Sequence, residues 1–238
     1  STWANSLNRL REGILTDEDG ALLKTRITKK DFLEKDSMHV FYRNEDVKNH
    51  NEKMINKLDS NLVTIPAIKT IPKGYPVTIQ PHGTIDNTQF MDKLQLKKGA
   101  RVRLTFNVNT TDKLVNGSFG EVAGFEYDSS GNLQFIIVSF DDPSAGKIQR
   151  AHYSRLSSKY KDVNGTPIMR HELKYQPRPT IRCKVLQFPL RLSYASTAHS
   201  MQGMTVKKGS ALVVHFSQKF QEGMAYVMLS RCERLQDI

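Results

Sequence analysis

The chain has 238 residues, of which 38% are hydrophobic and 25% charged, a balance that excludes disorder, collagen and coiled coil and gives room for one large domain or two small ones. A formal net charge of +11 and a pI of about 9.6 are the footprint of a nucleic-acid partner, gathered through its phosphates without regard to sequence. Cys183 and Cys232 stand far apart with no CxxC partner, which excludes a zinc or disulfide framework and places the chain in a reducing, intracellular setting; no apolar run nears the roughly 20 residues of a membrane span, and no signal peptide is visible.

The opening Ser1-Thr2-Trp3, without Met, reads as a cut fragment. Trp3, Leu7 and Leu10 fall at helical spacing, and Gly13 ends that helix. A second helix starts at the N-cap Thr16, with Asp17, Glu18 and Asp19 in its first turn and Leu22 and Leu23 on its apolar side. Met38–Tyr42 is a strand. It runs through Arg43-Asn44 into a helix from about Glu45 to Leu58, with Val47, Asn51, Met54, Ile55 and Leu58 on one face. Residues Asn61 to Phe90 read as loop with strand fragments.

From Leu96 short strands alternate with turns. Ala100–Phe106, Phe119–Phe125, Leu133–Phe140 and a pairing segment near Lys147–Tyr153 form a small all-β module, with turns at Asn116-Gly117 and Ser130-Gly131-Asn132 and an irregular tail to about Lys184. The α/β pattern then returns. Leu190–Tyr194 is a strand, Ser196–Gln202 a short helix, Ala211–Phe216 a strand, and Gln218–Ser230 a helix with Phe220, Met224, Val227 and Met228 on one face.

Two segments carry chemistry. Thr197-Ala198-His199-Ser200-Met201-Gln202-Gly203-Met204-Thr205 combines hydroxyls, an imidazole and a helix start, a turn that can hold phosphates on outward N–H groups. Arg231 follows the apolar run Ala225–Ser230 that ends this last helix. Such an arginine caps the last carbonyls or serves as an arginine finger, a rigid planar cation that meets γ-phosphate charge.

The ordered set Gln187-Phe188-Pro189-Leu190, then Tyr194-Ala195-x-Thr197-Ala198-His199-x-x-Gln202-Gly203-x-Thr205, then Tyr226-Val227-Met228-Leu229-Ser230-Arg231 resembles the fifth and sixth motifs of superfamily 1B helicases, the Pif and RecD-like enzymes. Three upstream pieces resemble the same family: Leu7-Asn8-Arg9-Leu10-Arg11-x-Gly13, Arg43-Asn44-Glu45-Asp46-Val47-x-x-x-Asn51, and Leu96-Lys97-Lys98-Gly99-Ala100-Arg101-Val102 followed by Asn107 and Leu114-Val115-Asn116-Gly117-Ser118-x-Gly120-x-Val122. The resemblance spans nearly the whole chain. It implies the C-terminal half of such an enzyme: an α/β second RecA-like domain at 1–96 and 185–238, interrupted at 97–184 by a small Src-homology-3-like barrel.

The resemblance further implies that Thr197, His199 and Asn44 contact single-stranded DNA and that Gln202 and Gly203 couple this site to the nucleotide. Arg231 would be the catalytic arginine finger. Lys97, Lys98, Arg101 and Arg103 would line the DNA channel, with Lys147, Arg150, Arg155 and Lys159 adding to the same basic text. Tyr194 and Tyr226 read as packing residues. Travel would be 5′ to 3′, in DNA repair, recombination or telomere maintenance, in the nucleus or mitochondrion of a eukaryote. The family pattern is broken at Ser200 and Met201, where Lys and then Ser or Ala usually follow the motif His, and at Met204, where Gln is common.

No G-x-x-x-x-G-K-[ST] occurs. Gly146-Lys147-Ile148 lacks the preceding glycine and the hydroxyl residue. Ile136–Asp142 imitates a Walker B strand but falls where the β module needs a strand and turn. ATP and Mg²⁺ would therefore be held by an N-terminal RecA-like domain missing from this chain. The chain alone would bind neither and hydrolyse nothing, and it would hold no metal of its own. The competing reading is a non-catalytic nucleic-acid-binding module derived from a helicase, of host or mobile-element origin.

Overall fold

The computed structural model describes residues 2–27, 37–85, 88–178, 181–201, 211–216, 223–232 and 234–238. They fall into two compact units, Ser1–Asn51 with Tyr194–Ile238, and Glu52–Ser193. In chain order the elements are α1 Thr2–Glu12, α2 Asp17–Lys24, β1 Met38–Phe41 and α3 Asn44–Asn56. Next come β2 Val63–Pro66, β3 Ile68–Thr70, β4 Lys93–Leu96, β5 Arg101–Leu104, β6 Phe119–Tyr127 and β7 Leu133–Phe140. After α4 Lys147–His152 and α5 Ser154–Ser157 follow β8 Thr166–Ile168, β9 His171–Arg178, β10 Ile181–Gln187 and β11 Leu190–Leu192. The chain closes with β12 Ala195–Thr197, β13 Leu212–Val214 and α6 Met224–Leu229.

The first unit is α/β. Its three strands are parallel, in the order β12-β1-β13. Side chains alternate across a strand. On one face Val40 and Leu212 pack with Ala198, Met201, Met224, Met228 and Cys232 in a core under α6. On the other face His39 and Phe41 meet His50 of α3. Trp3 of α1 donates its indole N–H to the carbonyl of Cys232 at 3.2 Å. α2 begins with the expected Thr16 cap, as a capping box closed by Asp19. Asp19 is also a buried hub: it accepts from Arg9 Nε and Nη2 at 2.7 and 2.6 Å, from Ser6 Oγ at 2.5 Å and from the Thr16 N–H at 3.1 Å. These bonds, Arg9 first, hold its carboxyl well below the usual carboxylate range.

The second unit is mostly β. An antiparallel sheet of order β11-β5-β6-β7-β8 buries Val102, Leu104, Val122, Ile136, Val138, Ile168 and Leu190 in one core. Beside it stand a sheet of order β3-β10-β9 and the pair β2-β4. Gly120 lies where β6 crosses β7, and a Cβ there would meet the Ser139 carbonyl at 2.5 Å, so no other residue fits.

The two compact units part at 51/52 and 193/194, where the resemblance implied domain bounds at 96/97 and 184/185. The ladders β2–β4, β3–β10 and β11–β5 draw residues 63–96 and 185–192 into the β unit, so Leu190–Leu192 extends the antiparallel sheet and not the parallel one. The five-stranded sheet is not a closed barrel: among the described residues β8 and β11 each pair on one side only. The segment 147–153, read as a pairing strand, is instead helix α4. Asp112 causes this from a distant loop, its carboxylate accepting the N–H groups of Ile148 and Gln149, both at 2.8 Å, after Gly146 has turned the chain at φ +77°. Ser196–Gln202, read as helix, begins as strand β12 and continues as a 3-10 turn over His199–Met201. The tail before Lys184 holds the long β9–β10 hairpin. The first half of the helix expected over 218–230 lies outside the described residues.

Candidate nucleic-acid interface

β1 and β12 lie side by side and parallel, with Phe41 opposite Thr197. Both strands therefore leave the sheet at the same edge. In open parallel sheets ligands bind outside the carboxyl ends of the strands. Beyond β1 the chain passes Tyr42 and Arg43 and enters α3 at Asn44; beyond β12 it turns at His199–Met201. The structure thus brings Asn44, Thr197 and His199 to one sheet edge, with Asn44 and His199 exposed and Thr197 buried. The N–H of Ala198 donates to the Phe41 carbonyl at 3.3 Å, which ties the two strand ends together.

Thr197 works within the turn. Its hydroxyl donates to Ser200 Oγ at 2.8 Å and accepts the Ser200 N–H at 3.3 Å. A lysine at position 200 could not supply that hydroxyl. Gln202 and Gly203 lie outside the described residues.

Asn51 sets the position of β12. Its Oδ1 accepts the N–H groups of Tyr194 and Ala195, both at 3.0 Å, and its Nδ2 donates to the Ala195 carbonyl at 3.4 Å. Sequence reading placed Asn51 on the apolar face of its helix without a role. A polar residue among apolar neighbours was the available signal, since a buried amide must find partners.

Arg231 follows α6 and is half-buried. Its Nε donates to the Val227 carbonyl at 2.9 Å and its Nη2 to Ser230 Oγ at 3.0 Å, so it caps its own helix in this conformation.

Sequence reading missed a histidine cluster beneath the site. His39 Nδ1 lies 2.8 Å from His215 Nε2, the His50 ring lies tilted with its centroid 4.1 Å from that of His39, and Phe41 lies parallel to His215 at 4.0 Å. The His39–His215 bond needs one nitrogen that donates and one that accepts, so a proton on both facing nitrogens breaks it. Burial, then the charges of His50 and His215, push His39 down to about 3. The folded pKa thus lies below the unfolded value of about 6.5. The stability this group contributes is present above that value and is lost as pH falls toward 3. Urea midpoints measured from pH 7 to pH 4 are expected to fall, and to fall less steeply in His39→Leu; equal slopes would remove the cluster from the explanation.

Within the β unit, Lys98 is exposed, and Lys97 donates to the Leu58 carbonyl at 2.7 Å. Arg101 makes a bidentate pair with Asp141, while Arg103 is half-buried and lies directly across from Arg191. Arg150 is spent on the carbonyls of Ala145 and Pro143 and on Thr166 Oγ1, and Lys159 pairs with Glu126. Lys97, Arg101, Arg150 and Lys159 thus each have a partner within the chain, and Lys147 and Arg155 are exposed. Among the described residues no group of His, Cys, Asp or Glu has the geometry of a metal site, and no helix is long and apolar enough to cross a membrane.

No protein-family model matches the chain. The ATP-dependent DNA helicase PIF1 of Emericella nidulans is 26% identical to it, over 96% of this chain and 34% of that protein. The ATP-dependent DNA helicase Pif1 of Campylobacter jejuni is 28% identical, over 95% of this chain and 47% of that protein. The chain is homologous to the Pif1 helicases. It spans about a third to a half of the length of these curated relatives. The crystal structure of Bacteroides Pif1 bound to ssDNA shares its fold, with a TM-score of 0.65 and 21% identity over 99% of this chain and 47% of that one.

Several residues that carry the Pif1 resemblance are scaffold in this structure. Gln187 is fully buried and donates to the carbonyls of Ile65 and Met91 at 3.0 and 3.1 Å. Asn107 Oδ1 accepts the Asn116 N–H at 2.9 Å, and Ser118 Oγ accepts that of Val115 at 3.2 Å. Arg9 serves Asp19. The Pif1-type motifs thus mix residues that shape the site with residues that hold its frame.

Proposed function

We propose that the chain is the C-terminal motor half of an ATP-dependent 5′ to 3′ DNA helicase, its α/β unit acting as the second RecA-like domain and the open β sheet corresponding to the Src-homology-3-like insert of that family. The observation that carries this reading is the shared edge of β1 and β12, where Asn44 and His199 are exposed beside each other's strand ends in a chain homologous to Pif1 helicases.

Asn44 and His199 would meet successive backbone phosphates, and Thr197 would hold the turn that presents His199. Gln202 and Gly203, next in the chain, would pass a shift of that turn to the nucleotide. For ATP and Mg²⁺ the donor set on this chain is partial. Arg231 is suited to γ-phosphate charge, but the chain has no P-loop, and no acidic cluster suited to a cation stands among the described residues. Bound ATP would supply the free energy of the motor through hydrolysis on a second domain. Binding to DNA is backbone-led and close to sequence-blind. The locked Thr197–Ser200 turn favours a second reading, a binding module without a motor, in which the DNA contacts remain and Arg231 only caps its helix. Single-stranded oligonucleotides titrated into the chain at rising salt test the DNA contacts. Affinity is expected to fall linearly with log salt and to be alike for thymidine and mixed sequences. The motor reading stands or falls on Arg231.

A further inference from the structure

The five-stranded sheet has a second covered face. Ile136, Val138 and Phe140 of β7 point into the core, so Phe135 and Ile137 point the other way. Over that second face lies the segment from α4 to the 3-10 turn Ser158–Val163. It comes close because Gly124 and Gly165 lack side chains: a Cβ on Gly124 would meet Tyr160 Oη at 2.5 Å, and one on Gly165 would meet Tyr160 Cβ at 2.5 Å and Ile137 Cγ2 at 2.6 Å. The cover stops short of the end of the β6–β7 hairpin and leaves a cleft of about 580 Å³ beside Tyr127 and Gln134. Sites for small ligands and inserted side chains span roughly 300–1,000 Å³.

The cleft is apolar within and basic at its rim. Phe135 is buried, and the Tyr153 ring stands edge-to-face to it at 65°, with centroids 5.0 Å apart. The Tyr153 hydroxyl is spent on Met169 Sδ at 3.2 Å. Leu156 and the exposed Tyr127 complete the apolar lining. Glu126 is the acid among the lining residues, and it is already satisfied: Oε1 accepts the Tyr160 hydroxyl at 2.7 Å, and its two oxygens accept Lys159 Nζ at 2.8 and 2.9 Å. Arg155, exposed on the rim, has no acid partner among the described residues. From Lys147 to Lys161 the chain carries Lys147, Arg150, His152, Arg155, Lys159 and Lys161 and no Asp or Glu.

These features select the occupant. An uncompensated cation beside an apolar cleft complements a partner that is anionic and brings an apolar side chain. A nucleobase stacks on an open ring face. Here Phe135 is only 7% exposed, and Tyr153 stands edge-to-face to both Phe135 and His152. That geometry suits an aromatic side chain inserted among tilted rings. We propose that the cleft between the β6–β7 hairpin and α4–α5 is a docking site for an acidic peptide segment of a partner protein, which inserts an aromatic side chain against Phe135 and Tyr153 and sets its carboxylates on Arg155. The site does not depend on the reading of the chain as a motor half.

The test uses the whole chain and a fluorescein-labelled peptide of aspartates around one phenylalanine, read by anisotropy. The wild type is expected to bind it, and to bind the same peptide with serine in place of phenylalanine about tenfold more weakly or worse. Arg155→Glu and Tyr127→Ala are each expected to lose about tenfold or more in affinity for the phenylalanine peptide and to melt with the wild type, since both side chains are exposed. A wild type that does not bind the peptide overturns the proposal. Equal binding of the two peptides reduces the attraction to net charge and overturns it too. If neither variant weakens binding, the peptide lies elsewhere and the cleft is refuted. Should Tyr127→Ala melt below the wild type, Arg155→Glu alone decides. The same proteins titrated with oligothymidine separate the sources: variants that lose as much affinity for oligothymidine as for the peptide make the cleft a nucleic-acid surface and overturn the peptide assignment. A wild type that binds the peptide and no oligothymidine leaves this site standing while the DNA reading fails.

Discussion

On the proposed motor reading, Arg231→Ala, introduced in a protein that joins this chain to a P-loop domain, is expected to lower DNA-stimulated ATP hydrolysis by roughly a thousandfold or more, the loss that follows removal of an arginine finger. The magnitude separates the two readings. As a helix cap, Arg231 contributes through the Val227 carbonyl and Ser230 Oγ, and its loss lowers stability by about 1 kcal/mol and leaves turnover nearly intact. As a finger it meets charge that develops only in the transition state, so turnover collapses while nucleotide affinity changes little. Arg231→Lys serves as the control. Lysine keeps the charge but not the planar fork, so it is expected to recover little. Steady-state phosphate release with and without single-stranded DNA reads both variants. A variant that hydrolyses ATP like the wild type removes Arg231 from the chemistry and leaves the binding-module reading.

The second large effect is on folding. Asn51→Leu deletes the acceptor of two N–H groups, those of Tyr194 and Ala195, in residues that are both buried. Each buried donor left without a partner costs about 1–3 kcal/mol, so the variant is expected to lose about 2–4 kcal/mol in urea denaturation of the chain. Asn51→Asp keeps an acceptor and is expected to lose less. The damage falls at the start of β12, so the His199 turn loses its fixed position with it. A loss below about 0.5 kcal/mol in Asn51→Leu would show that water or a rearranged backbone satisfies those donors, and that Asn51 does not set the site.

What the sequence revealed depended on how local its causes were. α1 and α2 are legible because their signals lie within them: Trp3 at helical spacing, and Thr16 with Asp19 as a capping box. β6 is legible from alternation and β7 from its apolar run Phe135–Val138. α4 is not, because its cap is Asp112, far away in the chain, and the segment itself lacks a helical stripe. β12 reads as helix by composition and is a strand because β1 pairs with it, a partner that local pattern cannot show. No closed barrel is seen for 97–184 among the described residues, and a helix stands at 147–152 where a pairing strand was expected. Of the site, the residue types were legible by resemblance, and the register of Phe41 against Thr197 explains why Asn44 and His199 belong together. The roles of Gln187 and Asn107 were hidden, since a buried hydrogen-bonding residue and a ligand-binding one leave the same mark in a motif.

The central claim is that the shared edge of β1 and β12 holds a single strand of DNA by its backbone. The most direct measurement is the salt dependence of oligothymidine binding by the wild-type chain and by the double variant Asn44→Ala/His199→Ala. The account predicts salt-sensitive binding by the wild type, and a double variant that binds at least tenfold more weakly with an unchanged melting temperature. A double variant that binds as tightly as the wild type would contradict it and move the DNA to another surface of the chain.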